Sequence, residues 1–298
     1  MWQQLLHQIT QGDIRALARA ISLVENQADG YENLLLHLPA TSTGIIGITG
    51  PPGAGKSTLV DALIGALVSK GKKTAILCVD PSSPFNRGAL LGDRIRMSEW
   101  YNHPDVYIRS LASRGSLGGL HPKIIEITDL VKAAPFDCII VETVGVGQSE
   151  VEIAGLADTT IVVEVPEAGD EIQTMKAGLM EIADIFVVNK ADRPDADRFV
   201  KNLRLMLAPA FNQQRHEVEI IKTVATAKTG IDELLAAVER HQQNPAHPDR
   251  KYRLLADKSY QLIRHKRMQG LEKEDLFRAI KLASEKGDFN FYRFVSTF

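Results

Sequence analysis

The run Gly50-Pro51-Pro52-Gly53-Ala54-Gly55-Lys56-Ser57 has the spacing G-x-x-x-x-G-K-[ST]. Those residue types at that spacing suit a polyphosphate. Glycines let the backbone curl so that successive N–H groups converge on phosphate oxygens. Lys56 can neutralise the β- and γ-phosphates, and the Ser57 hydroxyl can reach Mg²⁺. A Gly-rich turn with no ligand is the competing reading. The apolar run Ile45–Thr49 before the loop and the helical pattern from Thr58 to Ile64 after it argue against that. They supply the strand–loop–helix context the chemistry needs, with Thr58 in the first turn of a helix whose N-terminus favours an anion.

A second constellation, Asn189-Lys190-Ala191-Asp192, follows the apolar run Ile185–Val188 and reads N-K-x-D. The Asp192 carboxylate can accept from guanine N1–H and the 2-amino group. Adenine lacks both donors and would leave the carboxylate unpaired, so this residue discriminates strongly. The Lys190 stem can lie along the base, and Asn189 can tie loops together. Further on, the stretch 223–230 offers two registers for a backbone turn against guanine O6, Val224-Ala225 or Thr226-Ala227. The second is preferred because Gly230 then falls where such loops carry glycine.

Carboxylates at strand ends beside a phosphate loop are natural Mg²⁺ partners, direct or through water. Asp80 closes the run Thr74–Val79 and Glu142 closes Cys138–Val141, while Asp93 lies in Leu91-Gly92-Asp93-Arg94. With Ser57 they form the expected metal set, an N-cap or loop ion pair being the alternative for each. Gly145 suits a backbone that approaches the γ-phosphate and moves when it leaves. Gln148 is the candidate for orienting the attacking water, with Lys56 and Glu142 the other catalytic candidates. Arg94, Arg109 and Arg114 are candidate cis-acting arginines, although surface charge is the simpler reading of each.

These loops need a frame. From Thr43 onward, seven β-branched apolar runs alternate with amphipathic segments: 45–48, 74–79, 106–108, 138–141, 160–165, 185–188 and 218–221. That pattern predicts an α/β fold, a mostly parallel sheet covered by helices on both faces. A helical prefix over residues 1–42 precedes it, with Asp13 an expected N-cap and Gly30 expected to end the second helix. The polar, two-proline segment 241–248 predicts a linker after a domain of residues 43–240, and a basic helical tail follows to 298.

The 298 residues are 44% hydrophobic with a net charge of −2, enough for a sizeable core and no field favouring nucleic acid or a membrane surface. The two cysteines, Cys78 and Cys138, sit in apolar runs and are expected reduced and buried. No apolar stretch reaches about 18 residues, and the N-terminus lacks a signal-like basic region. A cytoplasmic protein is expected, the mature form of an organelle protein being the alternative.

Several segments together resemble the MeaB/ArgK family of G-protein chaperones. They are Asp80-Pro81-Ser82-Ser83-Pro84, Leu91-Gly92-Asp93-Arg94-Ile95-Arg96-Met97, Ser113-Arg114-Gly115-Ser116-Leu117-Gly118-Gly119, the stretch from Val141 to Glu150, and Gly178-Leu179-Met180-Glu181-Ile182-Ala183-Asp184. Phe85-Asn86-Arg87-Gly88 departs from the Phe-Thr-Gly-Gly usual in the family. The resemblance implies a GTPase that uses GTP/GDP and Mg²⁺. It implies a partner too, an adenosylcobalamin-dependent acyl-CoA mutase, typically methylmalonyl-CoA mutase. The family's C-terminal arm makes a homodimer a further expectation, though the arm here is short. Two readings compete. A nickel-insertion GTPase usually shows a His-rich or Cys-x-x-Cys tract, and this chain has neither. A P-loop kinase or transport ATPase is disfavoured by the guanine-selecting N-K-x-D.

Overall fold

The computed structural model describes residues 2–80, 97–113, 120–143, 149–166, 177–211, 218–244, 249–268, 273–285 and 289–296. Three helices open the chain: α1 (Trp2–Thr10), α2 (Ile14–Glu25) and α3 (Tyr31–Leu35). Asp13 caps α2, its carboxylate accepting from the N–H groups of Arg15 and Ala16. Gly30 does not end α2, contrary to the expectation from sequence. The helix closes at Glu25, where Asn26 Nδ2 donates back to the Ser22 carbonyl at 2.8 Å. Gly30, at φ 79°, instead starts α3.

The alternating part follows in order: β1 (Gly44–Thr49), α4 (Lys56–Ser69), β2 (Thr74–Asp80), β3 (Val106–Ala112), α5 (Ile124–Lys132) and β4 (Cys138–Glu142). Then come α6 (Ser149–Leu156), β5 (Thr159–Glu164), α7 (Ala177–Ile182), β6 (Ile185–Val188), α8 (Ala196–Phe211), β7 (Glu219–Lys222) and α9 (Ile231–Gln243). The seven strands form one sheet in the order β3-β2-β4-β1-β5-β6-β7, every pairing parallel. This is the P-loop α/β fold that the seven apolar runs predict.

Side chains alternate across the sheet, so each strand feeds two cores. Ile46 and Ile48 face α4 and α9, where Leu59, Leu63, Leu234 and Val238 are buried. Ile45 and its strand neighbours Leu77, Ile139 and Val141 face the other layer, built from α5 and the N-terminal helices through Leu17, Ile21 and Val24. An ion pair between Arg109 of β3 and Glu25 of α2 fastens that layer, and Arg109 also donates to Ser22 Oγ at 3.1 Å. Cys78 and Cys138 are free and buried. Burial, reinforced by the Asp137 carboxylate, pushes the Cys138 thiol up to about 12, which keeps it protonated.

Residues Met1–Lys251 form one compact unit and Tyr252–Phe298 a second. The second is helical, with α10 (Arg250–Arg267), α11 (Lys273–Glu285) and α12 (Phe291–Val295). Among the described residues no helix is long and apolar enough to cross a membrane.

Candidate functional site: a nucleotide site at the strands' carboxyl edge

In a parallel sheet all strands end on one edge, and ligands of such sheets bind there. The carboxyl ends of β1, β2, β4, β6 and β7 therefore share one edge, and motif residues stand at or just beyond them.

The phosphate loop leaves β1 under tight steric control. Gly50 has φ 140°, and a Cβ there would stand 2.1 Å from the Val163 carbonyl oxygen of β5. No side chain fits between two backbones that close. Pro51 is half-buried, Pro52 and Gly53 are exposed, and Ala54 is fully buried. Gly55, at φ 89°, opens α4 with its N–H groups facing the loop. A Cβ on it would lie 2.5 Å from Asn189 Nδ2. Lys56 is buried, and its Nζ donates to the carbonyls of Gly50 at 2.9 Å and Pro51 at 3.1 Å. A cation is thus held inside the loop's curve. Thr58, half-buried, lies in the same first turn of α4.

Ser57 and Glu142, 85 positions apart, meet at this edge: Ser57 Oγ donates to Glu142 Oε1 at 2.7 Å, and both residues are buried. Asp80 ends β2 two residues beyond Cys78, the partner of Glu142, and is itself paired with Ala112 of β3. Hydroxyl and carboxylate oxygens are hard donors, and Mg²⁺ typically takes one or two carboxylates plus phosphate oxygens. The Ser57–Glu142 pair fits that cation. Asp93, Gly145, Gln148, Arg94 and Arg114 lie outside the described residues. Arg109 is not brought to the phosphate loop; Glu25 and Ser22 hold its guanidinium on the face of the N-terminal helices.

The base loop is tied to the phosphate loop. Asn189 is buried, and its Nδ2 donates to the Ala54 carbonyl at 2.9 Å. Its Oδ1 accepts from Thr223 Oγ1 at 3.1 Å and from the Ala225 N–H at 3.2 Å. One carboxamide therefore joins three loops, which was the role expected of it. Thr223, not singled out from the sequence, sets the orientation of that carboxamide, and its carbonyl also accepts from the Ala191 N–H. Its signal was its place at the end of the last strand. Lys190, at φ 56°, reaches back so that Nζ donates to the Gly53 carbonyl at 2.9 Å. Asp192 is exposed on the turn beyond it. Of the two registers, the structure brings Ala225 to Asn189. Thr226 and Ala227 are exposed in the same short turn, the Ala227 N–H bound to the Val224 carbonyl.

Removing the Asn189 carboxamide would strand a buried hydroxyl, an N–H and a carbonyl. Asn189→Ala is expected to lower unfolding free energy by about 2–3 kcal/mol in a urea titration. A loss under about 0.5 kcal/mol would show that the three loops hold without it.

A phosphate loop on β1, a hydroxyl–carboxylate pair beside it and an N-K-x-D turn at the same edge define a P-loop GTPase. Over residues 17–278 the chain matches the family described as Methylmalonyl Co-A mutase-associated GTPase MeaB, and it belongs to that family. A Pyrococcus abyssi relative that carries a GTPase name is 47% identical over 248 residues, 82% of this chain and 76% of its own. Escherichia coli GTPase ArgK is 38% identical over 244 residues, 78% of this chain and 73% of its own. A solved structure of a LAO/AO transport system kinase covers 99% of this chain and 95% of its own, with a TM-score of 0.68 and 26% identity. The chain is a GTPase that binds guanine nucleotide.

Proposed function

We propose that this GTPase is a switch for an adenosylcobalamin-dependent acyl-CoA mutase, methylmalonyl-CoA mutase in the first instance, gating its cofactor loading and protecting it. The observation that carries this reading is the family match over residues 17–278, whose description names the mutase.

Within that reading each loop has a task. The backbone N–H groups from Gly53 to Thr58, past the two prolines that have none, and the Lys56 ammonium hold the phosphates. Ser57, Asp80, Asp93 and Glu142 would hold Mg²⁺, which offsets charge on the β- and γ-phosphates. Asp192 accepts from guanine, Asn189 and Lys190 fix the base loop to the phosphate loop, and the turn from Ala225 to Ala227 closes on guanine O6. Gln148 orients the attacking water, and the Gly145 backbone senses the γ-phosphate. Loops held by that phosphate relax when it leaves, and a partner reads which arrangement is populated.

The test is the GTP hydrolysis rate of the purified chain with and without the mutase of the same organism. Association is expected to change the rate at least about fivefold, the lower end of typical coupling between two sites. An unchanged rate, with no co-elution on size exclusion, would dismiss the mutase as partner and leave the GTPase assignment standing.

A further inference from the structure

Glu142 is the last residue of β4, so its carboxylate must stay beside Ser57 just where the chain leaves the sheet. Two hydroxyls meet at that point. The Thr143 N–H donates to the Ile48 carbonyl at 3.0 Å, which extends the β1–β4 ladder one step past the Ile48–Glu142 pairing. Thr143 Oγ1 then donates to Thr49 Oγ1 at 2.9 Å and lies 3.5 Å from the Ile48 carbonyl. Thr49 is fully buried and Thr143 is 1% exposed. Thr49 is also the residue that leads into Gly50. The pair therefore joins the residue before the phosphate loop to the residue after Glu142.

A buried hydroxyl has no water to fall back on, so this bond is costly to leave unmade. Shape alone does not call for it, because valine has the same branching and suits a strand at least as well. Neither threonine lies within G-x-x-x-x-G-K-[ST] or N-K-x-D. What the bond does fix is the direction in which the backbone leaves Glu142. A carboxylate that accepts from Ser57 at 2.7 Å loses that geometry if its backbone swings by an ångström.

We infer that the Thr143–Thr49 hydroxyl pair is a positioning device that holds Glu142 against Ser57 and so sets the divalent-cation affinity of the nucleotide complex. The inference rests on the cation site proposed above and adds two residues to it. Groups that orient a metal-binding side chain act through the cation's affinity more than through the base or phosphate contacts.

The experiment uses the full chain loaded with a fluorescent GDP analogue. Release of the analogue is followed across a Mg²⁺ titration and in EDTA, with thermal melting alongside. Thr143→Val is expected to raise the half-saturating Mg²⁺ concentration about tenfold, the lower end for such supporting groups. Release in EDTA should stay within about twofold of wild type, because the base and phosphate contacts are untouched. Thr143→Ser, which keeps the hydroxyl, should restore the Mg²⁺ requirement. Thr49→Val should shift it in the same direction by less, since the Ile48 carbonyl remains for Thr143. The double valine variant should be no worse than Thr143→Val, the mark of one shared bond. If Thr143→Val fails to fold, Thr49→Val carries the same test. Glu142→Gln separates the two levels. A wild-type Mg²⁺ requirement in Glu142→Gln overturns the cation site and this inference with it. A shift in Glu142→Gln with none in either valine variant overturns the positioning role alone. Equal loss in EDTA and in Mg²⁺ would reduce the pair to a structural contact, which also overturns it.

Discussion

Lys56→Ala is expected to abolish measurable binding of both GDP and GTP. The ammonium is buried within the curve of the loop and is held there by the carbonyls of Gly50 and Pro51. Two charge-assisted hydrogen bonds from it to phosphate oxygens, at about 1.5–3 kcal/mol each, amount to about 3–6 kcal/mol. That is a weakening of roughly 10²–10⁴ in Kd. Alanine also takes a donor from the Gly50 and Pro51 carbonyls, the second of which keeps the Ala54 N–H, so a modest fall in stability, about 1–3 kcal/mol, accompanies the loss. The two effects separate in one pair of measurements. A melt of the ligand-free variant reads the fold, and a titration with fluorescent GDP reads the site. A folded variant with near wild-type GDP affinity would refute the assignment of Gly50–Ser57 as the phosphate site.

Much of this frame is readable from residues alone, and the reason is local. The seven strands are near-continuous β-branched runs, because both faces of a parallel sheet are covered, and such runs stand out from the amphipathic helices between them. The order of the strands is not local. Nothing in Cys138–Glu142 says that this strand inserts between β2 and β1. That placement brings Glu142 to Ser57 and Thr143 to Thr49, so the contacts that finish the site depend on it. The prefix shows the same division. The stripe Leu17, Ile21, Val24 marks a buried face, yet only the fold shows that it covers Leu77, Ile139 and Val141 of the sheet. Gly30 misled because glycine at positive φ serves a helix end and a helix start alike. Arg109 is one of three candidate cis-acting arginines on residue type alone, and residue type does not say which partner an arginine finds. The structure spends it on Glu25 instead. Asn189 was legible both as a residue and as a tie, but not its reach to Ala54, 135 positions away.

Asp192→Asn is expected to exchange guanine for xanthine as the preferred base. Asp192 sits on a turn with two fixed sides: Ala191 N–H bonds the Thr223 carbonyl, and Arg193 N–H bonds the Lys190 carbonyl. The side chain itself is exposed, so substitution should leave stability within about 0.5 kcal/mol. A carboxylate offers two acceptors to guanine N1–H and the 2-amino group. Asparagine keeps one acceptor and turns the other into a donor, which then faces the 2-amino donor. Xanthine carries a carbonyl at that position and accepts from the new amide, while its N1–H still donates to the remaining oxygen. Loss of one charge-assisted pair and creation of a donor–donor contact should weaken GDP by about 10²-fold or more. XDP should gain enough to become the tighter ligand. Competition of GDP, XDP and ADP for one fluorescent probe reads all three affinities at once. Equal weakening of all three would mean that the turn supports the site without reading the base. A retained guanine preference would move base recognition away from Asp192 altogether. The contrast with Lys56→Ala is itself a check. That variant should lose every nucleotide alike because all carry the same phosphates, whereas only Asp192→Asn should change their order.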